Sequence, residues 1–386
     1  MLAIINGKIF TMKEKEIIEK GQVVIENGKI KAVGENVNIP EEAEVIDASG
    51  KVVFPGMIDA HTHLGIGEDG EGWEGRDYNE ITDPITPHLR ALDAINPQED
   101  GLKETREAGI TTVMTGPGSA NVMGGENIVI KTFGNTVDQM VLKNPAGIKA
   151  AFGENPKRVY NNQNKTPSTR MAVAAVMRET FMKAQDYLEK KQNAEEENEP
   201  FTRDIKMESV IKVLNNEIPL KAHAHRADDI MTILRIAREF DFDLTLEHCT
   251  EGHKIAEVIA EAGVPAIVGP TLTGRTKVEL RDRNFKTPGV LAEAGVKVAL
   301  MSDHPVIPSA NLPVYAALSV KAGMDKMEAL KAITINGAEI LGIDDHVGSI
   351  ESGKDADLVI FSDDPLDINS EVEKVIINGK MIKSIN

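Results

Sequence analysis

Apolar residues fall into two alternating rhythms along the middle of this chain. Short apolar runs at 57–64, 110–114, 128–133, 148–152, 220–224, 244–246, 264–268 and 296–301 read as strands. Between them, apolar positions recur at helical spacing. Ile230, Ile233, Leu234 and Ala237 share one face of 226–240, and Ile255, Val258 and Ile259 share one face of 251–262. Ala108-Gly109, Ala262-Gly263 and Ala294-Gly295 each precede a strand, where glycine supplies the left-handed helix cap. Strand, helix, glycine, strand is the pattern of βαβ units, so eight strands predict an α/β fold, a (β/α)8 TIM barrel. The pattern is weakest at 134–146, between the third and fourth strands, where no helical spacing appears.

The two ends carry a different pattern. Ile5-Asn6-Gly7-Lys8 and Ile25-Glu26-Asn27-Gly28-Lys29-Ile30 place Asn-Gly between apolar residues, a hairpin signal because both residues tolerate positive φ. Residues 357–361 read as a strand, and Ile377-Asn378-Gly379-Lys380 repeats the hairpin signal. Shared strand-turn chemistry at both ends predicts one small β-sandwich domain built from 1–55 and 346–386, with the barrel at 56–345. Two segments break the barrel rhythm. Residues 65–96 hold seven Gly/Pro residues and the only tryptophan, Trp73, which suits a loop lying over a binding site. Residues 168–217 read as two helices joined by a solvated Glu/Lys/Asn-rich turn at 189–200.

Composition narrows the class. A hydrophobic fraction of 41% over 386 residues supports a large core and excludes global disorder. A net charge of −18 argues against non-specific binding to nucleic acid or to an anionic membrane. A single cysteine, Cys249, excludes an intramolecular disulfide and suits a reducing, cytoplasmic setting. No apolar stretch approaches the roughly 18 residues of a membrane span, and no signal peptide is evident at the start.

The chemistry gathers at strand ends. His61-Thr62-His63 closes the first strand, and side chains two apart on a strand share a face, so both imidazoles can reach one ion. His223, His248 and Asp303 each end a later strand, and Glu154 follows the fourth. In a closed barrel those ends converge on one rim. Several histidines with carboxylates form the ligand set of a borderline divalent ion such as zinc. Cys249 points off that face and reads as a packed thiol.

The segment from Val45 through Gly56-Met57-Ile58-Asp59-Ala60-His61-Thr62-His63 resembles the opening of the amidohydrolase superfamily. That superfamily of metal-dependent hydrolases includes imidazolonepropionase, dihydroorotase and N-acetylglucosamine-6-phosphate deacetylase. Its closing pattern is similar to Ala332-Ile-Thr-Ile-Asn-Gly-Ala338 and Gly348-Ser-Ile-Glu-Ser-Gly-Lys354-Asp355-Ala356-Asp357-Leu358. The resemblance covers nearly the whole chain and implies a barrel flanked by a β-sandwich from both ends. It implies metal ligation by His61, His63, His223, His248 and Asp303. Two zinc ions are preferred, with one zinc, iron or manganese as alternatives. Many two-metal members bridge their ions with a carboxylated lysine on the fourth strand. Here Glu154 is taken as that ligand, as in the deacetylase branch, and mid-strand Lys149 is the weaker candidate.

The resemblance further implies that Asp303 moves the proton of a metal-activated water that attacks a carbonyl carbon, with His225 steadying the oxyanion. The deaminases of the family resemble one another in a His-x-x-Glu at the fifth strand. The corresponding position here is Arg226, which favours hydrolysis of an amide, a cyclic amide or a dipeptide-like bond. Arg158 and Arg226, with Lys157 and Arg275, follow rim positions and either bind a substrate carboxylate or neutralise nearby acids. The expected partner is a small molecule, and self-association of the chain is left open. Two rivals remain: a single-metal imidazolonepropionase-like or deaminase enzyme, and a non-catalytic barrel scaffold.

Overall fold

The structure is a computed structural model that describes residues 1–13 and 16–384. Eight barrel strands follow in chain order: β1 (Met57–Thr62), β2 (Ile110–Thr115), β3 (Met123–Lys131), β4 (Val141–Ala151), β5 (Leu220–Ala224), β6 (Leu244–His248), β7 (Ala266–Val268) and β8 (Val298–Leu300). They pair in that sequence from β1 to β8. All eight predicted strands are present, and the barrel is the expected α/β architecture.

One strand departs from the ideal pattern. β3 runs antiparallel to both β2 and β4, whereas the other neighbouring pairs are parallel. The cause is connection length. Only residues 116–122 separate β2 from β3, too few for the crossover that a parallel pair requires. The second short link, 132–140, reverses direction again, so β4 delivers its C-terminal end to the same rim as the rest. That is why 134–146 shows no helical spacing.

β8 meets β1 across a seam. The Asp303 N–H donates to the His61 carbonyl at 3.2 Å, and the His63 N–H donates to the His304 carbonyl at 2.8 Å. Beneath the seam, buried Asp59 accepts from the Ser302 N–H (3.1 Å), the Ser302 hydroxyl and the Ser309 hydroxyl (2.9 Å). Burial raises the Asp59 pKa and these hydrogen bonds oppose it. The carboxylate therefore staples the two strands whose ends carry His61, His63 and Asp303.

Both chain ends join one sheet. Its order is Lys380–Ser384, Val372–Ile377, Leu358–Phe361, Val52–Pro55, Leu2–Phe10, Ile17–Glu26 and Lys29–Gly34, with Glu44–Asp47 also beside Leu2–Phe10. Period-two alternation gives each strand two faces. Val53 and Ile360 enter a core of the sheet's own, while Phe54 and Phe361 pack edge to face at 6.2 Å within the barrel's hydrophobic cluster. Lys131 of β3, 4% exposed at its side chain, ties the units together by pairing with Asp355 (3.0 Å) and Asp357 (2.6 Å).

The hairpins at Asn27-Gly28 and Asn378-Gly379 form as expected, with both asparagines at positive φ. Asn6-Gly7 does not turn. It lies inside the strand Leu2–Phe10 at a pairing irregularity, and a Cβ on Gly7 would stand 2.6 Å from Val53 Cγ2. Glycine is needed there for close packing. The 189–200 joint is also displaced: one helix runs Arg170–Glu197 and ends at left-handed Asn198, because Glu, Lys, Gln and Ala favour helix. The second helix is Ile205–Leu214. Among the described residues, no helix is long and apolar enough to cross a membrane.

Candidate metal centre

The end of β1 aims two imidazoles at one carboxylate. Asp303 Oδ1 lies 3.3 Å from both His61 Nε2 and His63 Nε2, and donor atoms of the three residues all lie within 4.8 Å of one another. His63 Nδ1 is 2.6 Å from the Gly116 carbonyl oxygen, which can only accept, so the ring proton is assigned to Nδ1. The His63 Nε2 lone pair then faces a carboxylate oxygen. Two acceptors opposed in this way need either a proton or a cation between them.

A second group adjoins the first. His223 of β5, His225 just past the end of β5 and His248 of β6 bring ring nitrogens within 4.8 Å of one another. Ring centroids are 4.2 Å apart for His223 and His248 and 4.6 Å for the other two pairs. His248 Nδ1 donates to the Gly269 carbonyl at 3.0 Å, and His225 Nδ1 meets the Thr250 hydroxyl at 2.7 Å. The His248 Nε2 lone pair is thereby left for a ligand, and the His225 Nε2 faces the same space. His223 is 2% exposed, yet neither ring nitrogen has a hydrogen-bond partner. An orphaned buried imidazole costs free energy unless something else takes its lone pair. His61 and His248 rings lie 5.3 Å apart, so the two groups share one space. His248 (φ 73) and Asp303 (φ 58) both hold left-handed backbone, a strain that accumulates where side chains must be aimed.

Protonation agrees with a cation rather than a proton. Burial, then the neighbouring His248 and His225, holds His223 well below the usual imidazole range. Burial also leads for His225, which stays well below, for His63, which is lowered, and for His248, which falls to about 3. For Asp303 burial pushes upward, but the His61 and His63 contacts outweigh it and keep the carboxylate ionised. His63, His223, His225 and His248 are thus neutral imidazoles and Asp303 an anion, the set that a divalent ion takes, while His61 is raised by its neighbour Glu247. The observed residues therefore fit a metal.

The shifts set a pH dependence for the metal-free chain. As pH falls through about 6.5, an unfolded chain protonates these histidines, while folded His63, His223, His225 and His248 do not. The unfolded state then binds more protons, so acid favours it. His61 acts with the opposite sign: burial resists its protonation, but Glu247 prevails and raises it. Four rings against one predicts a falling thermal midpoint of the metal-free protein from about pH 7 down to pH 5. A flat profile would contradict these neutral rings.

Lys149 and Glu247 complete the inner wall. Lys149 Nζ lies 3.3 Å from His61 Nε2 and 3.0 Å from Glu247 Oε2, with both side chains essentially sealed from solvent. Glu247 Oε2 is also 2.8 Å from His61 Nδ1, close but not aligned as a hydrogen bond. Burial would raise Glu247, but the charges of His61 and Lys149 hold it well below the usual range. Lys221, buried one layer deeper beside Thr245, is pushed down to about 8 by desolvation.

Six of the nine predicted positions converge here: His61, His63, His223, His225, His248 and Asp303 all line one cavity of about 250 Å³. Three do not. Glu154 lies off the cavity: the chain turns at Gly153 (φ 89), and Glu154 starts the helix Glu154–Asn161. Its N–H donates to Glu279 Oε2 at 3.0 Å, it does not line the cavity, and Lys149 stands on the inner face of β4 instead. Arg158 is exposed and meets only Asn155 Oδ1 at 3.4 Å. Arg226 forms a two-pronged pair with Asp228 at 2.8 Å. Arg158 lies in the last turn of the helix Glu154–Asn161 and Arg226 at the start of the helix Ala227–Phe240, and neither lines the cavity. Glu247, Lys277 and Glu279 were missed. Glu247 had a usable signal, because it lies two residues from Thr245 on an inward-facing strand row. Cys249 is a buried thiol pushed up to about 12 by burial, as its reading as a packed residue anticipated.

Residues 52–382 match the model of the family described as "Amidohydrolase family". The chain is 26% identical over 387 residues to amidohydrolase tasK of Hapsidospora irregularis, covering 93% of this chain but only 39% of that protein. It is 26% identical over 389 residues to the imidazolonepropionase of Fusobacterium nucleatum, covering 91% of this chain and 87% of that protein. A crystal structure of an amidohydrolase from Thermotoga maritima MSB8 superposes with a TM-score of 0.97 at 47% identity, with both chains covered in full.

Proposed function

The chain belongs to the amidohydrolase family and is a hydrolase of carbon–nitrogen bonds, and on that premise we propose a two-metal enzyme that cleaves a small amide or cyclic amide. The observation that carries the reading is the facing of lone pairs. His63 Nε2 is set against Asp303 Oδ1, and the unpartnered His223 nitrogens sit inside an adjoining histidine group. His61, His63 and Asp303 would hold one ion, and His223 and His248 the other, with His225 within reach of it.

Lys149, once carboxylated, would help hold both ions. An ammonium 3.3 Å from a ligand nitrogen repels a cation, whereas a carboxylated lysine attracts two. The neutral amine adds to carbon dioxide, forming an N–C bond and releasing one proton, and the ammonium is replaced by a carboxylate. A carboxylated lysine on the fourth strand is what the family resemblance implies for a two-metal site, and Lys149, which lines the cavity where Glu154 does not, would take that role.

When bound, the metal supplies Lewis acidity and lowers the pKa of a water to about 7. The chain's own residues do the rest. Asp303, ionised and facing the cavity, takes the proton of the attacking water and passes it to the leaving nitrogen. His225, held by Thr250 through Nδ1, turns Nε2 toward the carbonyl oxygen. The imidazolonepropionase relative agrees with a cyclic amide as substrate.

Metal analysis of the purified protein tests this directly. About two equivalents per chain are expected, falling in Lys149→Met and recovering slowly with bicarbonate when stripped wild-type protein is reloaded. One equivalent would move the assignment to the single-metal alternative. No metal, together with no hydrolysis across a broad amide panel, would leave the scaffold reading.

A further inference from the structure

The cavity carries a cation that the proposed reaction does not use. The segment after β7 supplies Pro270, Thr273, Thr276, Lys277 and Leu280 to its wall. Lys149, the other ammonium in that wall, is committed to Glu247 and His61. Lys277 is not. Its side chain is 21% exposed, and the partner it has is Glu279 Oε1 at 3.5 Å, long for a charged hydrogen bond. Glu279 is itself fixed, because its other oxygen accepts the Glu154 N–H at 3.0 Å. It lies 3.8 Å from His225 Nε2 and 4.0 Å from His223 Nε2. The Lys277 ammonium is thus held two contacts from the histidine group. Its charge reaches that group, helping to hold both His223 and His225 below their usual range.

Other sources of positive potential point elsewhere. Arg158 and Arg226 are off the cavity, and Arg275 donates to the Arg281 carbonyl at 2.8 Å. The glycine-rich turn at 116–120 offers little, because the Gly118 N–H is taken by the Tyr78 carbonyl and the Ala120 N–H by Asn79. An ammonium has three donors, and Glu279 engages one. The remaining two suit a carboxylate in a half-desolvated wall, where charge-assisted bonds are stronger than in water. A cavity of about 250 Å³ limits the partner to a small molecule.

We propose that Lys277, steadied by Glu279, is the anion-binding group of this cavity and selects small amides that carry a carboxylate a few bonds from the cleaved C–N bond. The inference rests on the hydrolase reading for the nature of the cleaved bond, but the subsite can be measured without turnover. Metal-loaded wild type, Lys277→Met and Lys277→Arg are titrated calorimetrically with N-acetylglycine and with its neutral isostere N-acetylglycinamide. Wild type should bind the acid at least about tenfold more tightly than the amide. Lys277→Met should bring the two to within about threefold, and Lys277→Arg should restore most of the preference. Metal content and circular dichroism check that each variant is folded and loaded, and Lys277→Gln replaces the Met variant if that one fails to fold.

A preference that persists in Lys277→Met would show the metals taking the carboxylate and overturn the proposal, as would equal binding of the two probes by wild type. If preference tracks Lys277 while no amide is hydrolysed, the subsite stands and the enzymatic reading falls.

Discussion

Replacing Asp303 with Asn should lower turnover about a thousandfold while the metal stays bound. The side chain is only 14% exposed and its Oδ1 stands 3.3 Å from two imidazole nitrogens. Those contacts keep it ionised against the pull of burial, which is the state a proton acceptor needs. Asparagine keeps the volume and one oxygen but cannot take a proton. The variant therefore separates holding from proton transfer, whereas Asp303→Ala removes both. The measurement is kcat on a responsive amide together with metal content per chain. Full turnover by a metal-loaded Asp303→Asn protein would remove Asp303 from the proton path.

The largest effect on stability is expected at Glu247. It is sealed from solvent and faces Lys149 at 3.0 Å and His61 at 2.8 Å, with the buried Lys221 charge also acting on it. Glu247→Ala leaves Lys149 as a buried ammonium without its anion. Breaking such a pair from one side costs about 3–5 kcal/mol. Removing both partners is less damaging, so Glu247→Met with Lys149→Met should recover much of the loss, and the double-mutant cycle gives the coupling. The pH dependence has a definite sign. The folded Glu247 pKa is depressed, so its contribution is present above about pH 4.3 and is lost as pH falls through the folded value. The gap between wild type and Glu247→Ala should therefore close in acid. Thermal midpoints of the metal-free proteins read this, and an Ala variant as stable as wild type would refute the network.

The barrel was legible because its strands are apolar runs, three of them announced by glycine after a helix at Gly109, Gly263 and Gly295, and such runs keep their identity in any context. The direction of β3 was not legible, since an apolar run has no polarity of its own. The length of the link at 116–122 decided it. Asn6-Gly7 shows the same limit: turn chemistry fits a hairpin or a bulge, and the neighbouring Val53 settled which.

The site divides along a similar line. His61 and His63 were legible from spacing, because period two is a property of the strand alone. His223, His248 and Asp303 were legible from their place at strand ends. Glu154 and Lys149 could not be ranked that way: the choice depends on the residue at which β4 ends and Gly153 turns the chain. The strand row could place Glu247 inward, but its counter-charge Lys149 lies about a hundred residues away, and Lys277 acquires meaning only from the cavity it lines.

Local rules act over a few bonds, and they were enough to determine eight strands, the rim to which they lead and the histidines set along it. Which inward group faces which, where a buried charge finds its counter-charge and which cation reaches the cavity depend on packing between distant segments. Electrostatic energy in a desolvated interior varies steeply with distances of a few ångströms. Those distances exist only once the barrel has closed.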